Sequence, residues 1–456
     1  MKQMGFMVVT TLLGTVGAFL LSPVYGFAVY YMYAILRPEV LWDWILPQGY
    51  RWSFMVAIGT IMATLAWRLH IWQPPFAPKA PWYGDPKYTR SHYLFLAFVA
   101  WICVTYFTAF NPEFATAPFT EYVKIFVMFV AATFVLRTVK DLWIIYYVIT
   151  ISTLYVAYEV NFHYFVNHWM ILQNRGLAGL DNNGAALLFA MAIPLCYFAW
   201  ESGKSWFRWL FLLGIPFLLH SVMLSFSRGA MITAIAGACS IFLFSRNKKM
   251  LAIFYVIAGA MVVASSGKEL QERFFSISKS EMDDSMMSRW TTWNIAIRMM
   301  MEQPIFGFGI RNSQLFTYQY GADIEGRAIH SQYLQIGADS GVTALVLYLL
   351  LLASVMLGLV RVWWTLRLWQ DPVTREVRGM AAGLICGLFS FAVGASALSL
   401  EHFEMPYILM LLSMQLHAIV RAIIANTDPE YLKALKAQTP PETPITVRIP
   451  IPIPIG

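Results

Sequence analysis

Charge is scarce in this chain. Only 12% of its 456 residues are Asp, Glu, Lys or Arg, against roughly 25% in an ordinary soluble domain. With 59% hydrophobic residues, no single soluble core could hide so much apolar surface, whereas lipid can accept it. The short alternating segments of a closed barrel are missing, and long unbroken apolar runs stand in their place. A small-residue cleavage site is missing after the first run, and a second apolar stretch follows at once, so the N-terminus reads as membrane-embedded and not as a removed signal peptide. Cysteine is rare. Cys103, Cys196, Cys239 and Cys386 fall inside apolar runs without metal-type spacing, as small hydrophobes do. No internal repeat is visible, which removes the signature of a transporter built from duplicated halves. The net charge of +7 would suggest nucleic acid in a soluble domain. Here it comes mostly from Lys and Arg flanking apolar runs, where they set membrane orientation, so no nucleic-acid partner is expected.

What is present is a series of apolar runs, at about 5–36, 52–67, 91–110, 121–136, 142–160, 184–200, 206–224, 229–245, 250–266, 338–360, 379–399 and 405–422. All but the first, which is long enough for two short spans, are close to the roughly 17–25 residues that span a bilayer as a helix. They predict an all-α polytopic membrane protein with about 12 transmembrane helices, or 13 if the first run is a pair broken at Ser22-Pro23. The expected organisation is a transmembrane bundle over 1–266, a long and partly helical outer loop over 267–337, the last transmembrane helices over 338–426 and a Pro-rich tail over 427–456. Arg68, Lys79, Lys87 and Arg90, then Arg137 and Lys140, Lys204 and Arg208, Arg246, Lys248 and Lys249, and Arg361, Arg367, Arg375 and Arg378 occupy alternate connections. These read as cytoplasmic, which places 161–183, 225–228, 267–337 and 400–404 outside. In a bacterium that side is the periplasm.

Positive charge on the outer side therefore needs a reason. Arg175, Arg228, Arg273, Arg289, Arg298, Arg311 and Arg327 all lie there. Arg228 sits in SFSRGA, a turn too short to leave the membrane surface; it is either a snorkelling interfacial residue or a planar fork of donors turned inward onto an anion. Ser285 to Met301 predicts a surface helix that stops before Pro304, with Trp290, Trp293, Ile297 and Met300 as its apolar face. In FGFGIR the glycines at 307 and 309 permit a tight turn. His330 lies where the loop re-enters the membrane, placed to take a proton from a hydroxyl near pH 7. Gln335 and Asp339 offer it no obvious helical partnership. Asn182 and Asn183 suggest a cap for the following helix. Asp283-Asp284 and Glu401-His402-x-Glu404 make no complete metal-ligand set.

Taken in order, SRG at 227–229, SRW-x-x-W at 288–293, P-x-x-G-x-G at 304–309 and AIHSQYLQIGADSG at 328–341 resemble the O-antigen ligase and polymerase superfamily of bacterial membrane glycosyltransferases. The SRW and HS elements are most similar to the branch of O-glycosylation ligases that accompany exosortase systems. The resemblance covers the second half of the chain, and the first half matches only in hydropathy. It implies transfer of a glycan from undecaprenyl diphosphate to an acceptor hydroxyl, on lipid A-core or protein, at the periplasmic face of the inner membrane. It implies inversion, no metal and no cofactor, with His330 as base. Arg228 and Arg289 would hold the diphosphate, with Arg175, Arg311 and Arg327 as further candidates. A polymerase of the same superfamily fits these residues equally. A flippase would instead place ionisable residues deep in the spans, where the chain has few. Asp339 stands where related proteins often carry glutamate, and no catalytic part is assigned to it.

Overall fold

The computed structural model describes residues 2–47, 49–77, 86–177, 179–268, 271–272, 284–368, 372–398 and 403–427. Lys79, Arg273, Asp283, Glu401, His402 and the tail beyond Thr427 lie outside them. The described residues are helical, apart from connections and one isolated bridge between Leu177 and Leu180. An all-helical chain is what lipid demands, because each helix satisfies its own backbone groups.

The helices are α1 (Lys2–Leu20), α2 (Pro23–Leu36), α3 (Trp52–Arg68), α4 (Arg90–Phe107), α5 (Pro112–Thr133), α6 (Val139–Phe165) and α7 (Asn182–Ser202). They continue as α8 (Arg208–Leu224), α9 (Arg228–Phe244), α10 (Lys248–Ser265), α11 (Asp284–Glu302), α12 (Gln332–Thr365), α13 (Pro372–Gly394) and α14 (Glu404–Ala425). Nine of them, α1, α4 to α7, α10 and α12 to α14, are long and apolar enough to cross a membrane; α8 and α9 are shorter apolar helices. The first apolar run is a pair. Ser22 caps α2 with its hydroxyl, and Pro23 occupies the first helical position, where a missing N–H costs nothing.

α7 forms the axis of the bundle, with 94% of its spanning window buried. It packs against α6, α8, α9 and α13. Gly184, Ala185, Ala186, Ala190, Ala192 and Ala199 along α7 let neighbouring backbones approach closely, the usual basis of helix association where lipid removes the hydrophobic drive. α12 packs against α4, α13 and α14, and α11 lies across its start. α1, α2 and α3 contact one another, and α2 joins them to the rest through α6.

α11 forms within the predicted limits but buries a different face. Ile295, Ala296 and Met299 are fully buried and Met300 nearly so, while Trp290 and Ile297 are exposed. The buried row also contains Thr292, whose hydroxyl donates to Ile329 O at 3.1 Å. A threonine satisfied in this way is invisible to an argument from hydrophobic spacing.

Candidate active site

Three helices begin at the same end of the bundle, each with a side-chain cap. Asp181 caps α7 by accepting from Gly184 N, Ser227 caps α9 by accepting from Ala230 N, and Ser331 caps α12 by accepting from Leu334 N. Their N-terminal dipole ends bring partial positive charge to this end. The expected caps Asn182 and Asn183 are displaced by their neighbour Asp181. Asn182 Nδ2 instead donates to Ser225 O at 2.9 Å, tying the start of α7 to the SFSRGA turn. Arg289, from α11, overlies the same turn: a methyl added to Gly229 would sit 3.8 Å from its Nη1.

α11 also holds His330. Trp293 Nε1 donates to His330 O at 3.3 Å, and the hydroxyl of Thr292 holds the preceding carbonyl. His330 takes a left-handed backbone conformation, φ +56°, uncommon outside glycine. Its ring lines a cavity of about 1120 Å³. Arg37, Asp181, Arg311, Gln314 and Glu404 line it too. α3 contributes Phe54, Ala57, Ile58 and Ile61 and α5 contributes Val123, Val127 and Met128 as apolar lining, with Glu39, Arg51, Glu121 and Lys124 as further charged groups. Phe54, Ile58, Val123 and Val127 are exposed.

Arg37 and Arg311 are left-handed as well, φ +43° and +59°. Such conformations cost about 1–3 kcal/mol each and persist where the surroundings over-determine them, as they do at ligand sites. Burial lowers the His330 pKa below its ordinary value of 6.5, the charges of Arg289 and Arg327 lower it further, and Asp181 opposes them. The imidazole is therefore neutral at pH 7, with a nitrogen able to accept a proton.

Of the residues singled out from the sequence, His330 and Arg311 line the cavity. Arg289 and Arg327 lie close enough to act on His330 electrostatically. Arg327 also donates to Ser288 Oγ and pairs with Asp323 at 3.5 Å. Arg228 opens α9 beside the glycine that Arg289 overlies. Arg175 pairs with Asp43 and donates to Val40 O at 3.3 Å, on the outside of the cavity wall. Arg37, Arg51 and Lys124 line the cavity but were not singled out. A signal for the first two was available, because 37–51 alternates to the same side as the outer arginines.

Residues 213–349 match the model of the O-antigen ligase family. This segment belongs to that superfamily. Curated proteins offer no match to the chain. The O-antigen ligase segment runs from α8 into α12 and contains Arg228, Arg289, Arg311, Arg327 and His330. Arg175, Arg37 and the apolar wall from α3 and α5 lie before it. Within the segment, the glycines of P-x-x-G-x-G act in backbone docking. Phe308 N donates to Ala338 O at 3.0 Å and Gly309 N to Asp339 O at 2.7 Å. A methyl on Gly307 would sit 2.5 Å from the Asp339 carbonyl carbon. α12 is broken at Gly341, φ +80°, and Val342 N there donates to Pro304 O at 2.8 Å. The loop that carries Arg311 is thus fastened to α12.

Proposed function

We propose that the chain is an O-antigen ligase-type glycosyltransferase of a bacterial inner membrane, acting at the periplasmic face on a glycan linked to undecaprenyl diphosphate. The observation that carries this reading is the cavity itself, a channel lined by His330, by Arg37, Arg51 and Arg311, and by apolar side chains of α3 and α5. Such a channel suits a polyprenyl chain, and the arginines suit a diphosphate.

In the proposed reaction the oxygen of the acceptor hydroxyl attacks the anomeric carbon. His330 takes the hydroxyl proton as the new C–O bond forms, and the bond from the anomeric carbon to the diphosphate oxygen breaks. The diphosphate leaves with the bonding electrons, and its added charge is met by Arg311 and Arg37, with Arg289 and Arg327 near His330 and Arg228 next to the glycine that Arg289 overlies. Single displacement inverts the anomeric centre. Diphosphate is a good leaving group, so no metal is required by this scheme.

The test is transfer from lipid-linked glycan by reconstituted protein, with membrane abundance matched. His330→Ala should lose about 10²–10⁴-fold in rate, and Arg311→Ala about 10²–10³-fold. Normal transfer by both would overturn the proposal. Product mass identifies the acceptor: a glycosylated lipid A-core or protein supports a ligase, and longer lipid-linked glycan means a polymerase.

A further inference from the structure

The opposite end of the bundle holds a second concentration of positive charge. There the end of α7, the end of α9, the late part of α12 and the start of α13 meet in a cleft lined by Phe198, Glu201, Arg246, Trp363, Arg375 and Arg378. Arg375 Nη2 donates to the backbone carbonyl of Glu201 at 3.2 Å. The Arg378 guanidinium lies 5.2 Å from the centre of the Trp363 ring. Its Nε is buried with no hydrogen-bond partner among the described residues.

Glu201 is the one carboxylate among the described lining residues, and it is already engaged. Its Oε1 accepts from the backbone N–H of Arg246 at 3.0 Å, from Ser245 Oγ at 3.3 Å and from Tyr197 OH at 3.3 Å. The neighbouring Lys204 and Glu376 neutralise each other at 2.8 Å. Three guanidinium groups thus face one carboxylate; burial first and the charge of Arg375 second disfavour the charge on Arg246, and Glu201 opposes them. Arg375 and Arg378 have partners in the Glu201 carbonyl and the Trp363 ring, but one carboxylate does not balance three guanidinium groups, and a bound anion would.

The enclosed space is only about 10 Å³, close to the minimum for one water. An anion would therefore sit in the mouth, where Arg246 and Arg375 are exposed. Around the mouth the surface is apolar and aromatic. Leu243 and Trp364 are largely exposed, and Arg367 lies over Trp364 at 3.4 Å, as side chains do at a membrane interface. A soluble anion has no use for that surface, but a phospholipid does.

The geometry points to an anionic phospholipid site, in which Arg246, Arg375 and Arg378 hold the phosphate oxygens of a headgroup and the acyl chains lie along the outer faces of α9 and α12. Basic pockets between transmembrane helices hold such headgroups. The full chain in nanodiscs, examined by native mass spectrometry, tests this. Wild-type protein should retain phosphatidylglycerol or cardiolipin over phosphatidylethanolamine. The R246Q/R375Q variant should retain at least about tenfold less, because two charge-assisted contacts are lost. Both side chains are exposed, and Arg375→Gln alone serves if the pair lowers the unfolding temperature. His330→Ala should retain the lipid fully, which separates this site from the cavity. Equal retention by wild type and R246Q/R375Q overturns the proposal. So does displacement of the lipid by millimolar inorganic phosphate, which would make free phosphate the ligand.

Discussion

Asp339 is 3% exposed in the first turns of α12. Its Oδ1 accepts from Ser313 N at 3.0 Å and its Oδ2 from Gln335 Nε2 at 2.8 Å. Through Ser313 it holds the loop that presents Arg311 and Gln314 to the cavity. Asp339→Ala strands Ser313 N and one of the two N–H groups of Gln335 Nε2, the other keeping Ser313 Oγ; at about 1–3 kcal/mol for each buried donor, a loss of about 3–4 kcal/mol is expected. Asp339→Asn keeps an oxygen for Ser313 N, and its new amide faces Gln335 Nε2. Gln335 Oε1 is a buried acceptor without a partner among the described residues, so rotating the Gln335 amide restores a donor–acceptor pair. The Asn variant should therefore cost only about 1 kcal/mol, the net value of one hydrogen bond. Thermal unfolding in detergent and glycan transfer, measured on the same preparations, distinguish the two variants. Asp339→Ala should lose stability and transfer together, and Asp339→Asn should keep most of both. An Asn variant as inactive as the Ala variant, with a wild-type unfolding temperature, would refute the positioning argument and make the carboxylate a participant in proton transfer.

Three further outcomes follow from the same geometry. Because burial and the charges of Arg289 and Arg327 hold the His330 pKa below 6.5, transfer should be independent of pH just above 6.5 and fall as pH drops through a midpoint below it; Arg289→Gln, removing one depressing charge, should move that midpoint upward, and a wild-type midpoint above 6.5 contradicts the assignment. Gly341→Ala puts a methyl 2.0 Å from Ile305 O at φ +80°, so it should unfold at a lower temperature by about 1–3 kcal/mol of strain, with an unchanged melting curve counting against the docked loop. Arg37→Ala should slow transfer by about 10²-fold, whereas Arg175→Ala, which breaks an exposed pair with Asp43 worth about 0–1 kcal/mol, should leave the rate near wild type; equal losses would move the cavity boundary.

Much of this was legible in the sequence because lipid makes composition nearly decisive. The apolar runs fall on helices, and the break at Ser22-Pro23 is a cap with a proline behind it. His330 was legible because one ionisable ring at the edge of an apolar run has few ordinary explanations. The face of α11 was not, since Thr292 buries a hydroxyl whose partner, Ile329 O, lies 37 residues away. Asp181 was passed over for Asn182 because both are good caps, and only the contact of Asn182 with Ser225 decides between them. The glycines at 307 and 309 suggested a tight turn, and close approach to something is all a glycine announces. What approaches is the backbone of α12 and, for Gly309, Ala109.

Arg37 marks the limit of reasoning by motif. It stands outside the O-antigen ligase segment, 293 residues before His330 in the chain, yet both line one cavity. Gly179 sits against it: a methyl there would lie 3.2 Å from Arg37 Nη1, and Asp181 follows two residues later as the cap of α7. The first half of the chain, which matched the superfamily only in hydropathy, thereby supplies three cations, Arg37, Arg51 and Lys124, and the apolar lining from α3 and α5, while the second half supplies the histidine. A division of this kind explains why the motifs cluster where proton transfer is proposed. The lipid-facing walls need only be apolar and the right distance apart, a requirement that many sequences meet and no short pattern records.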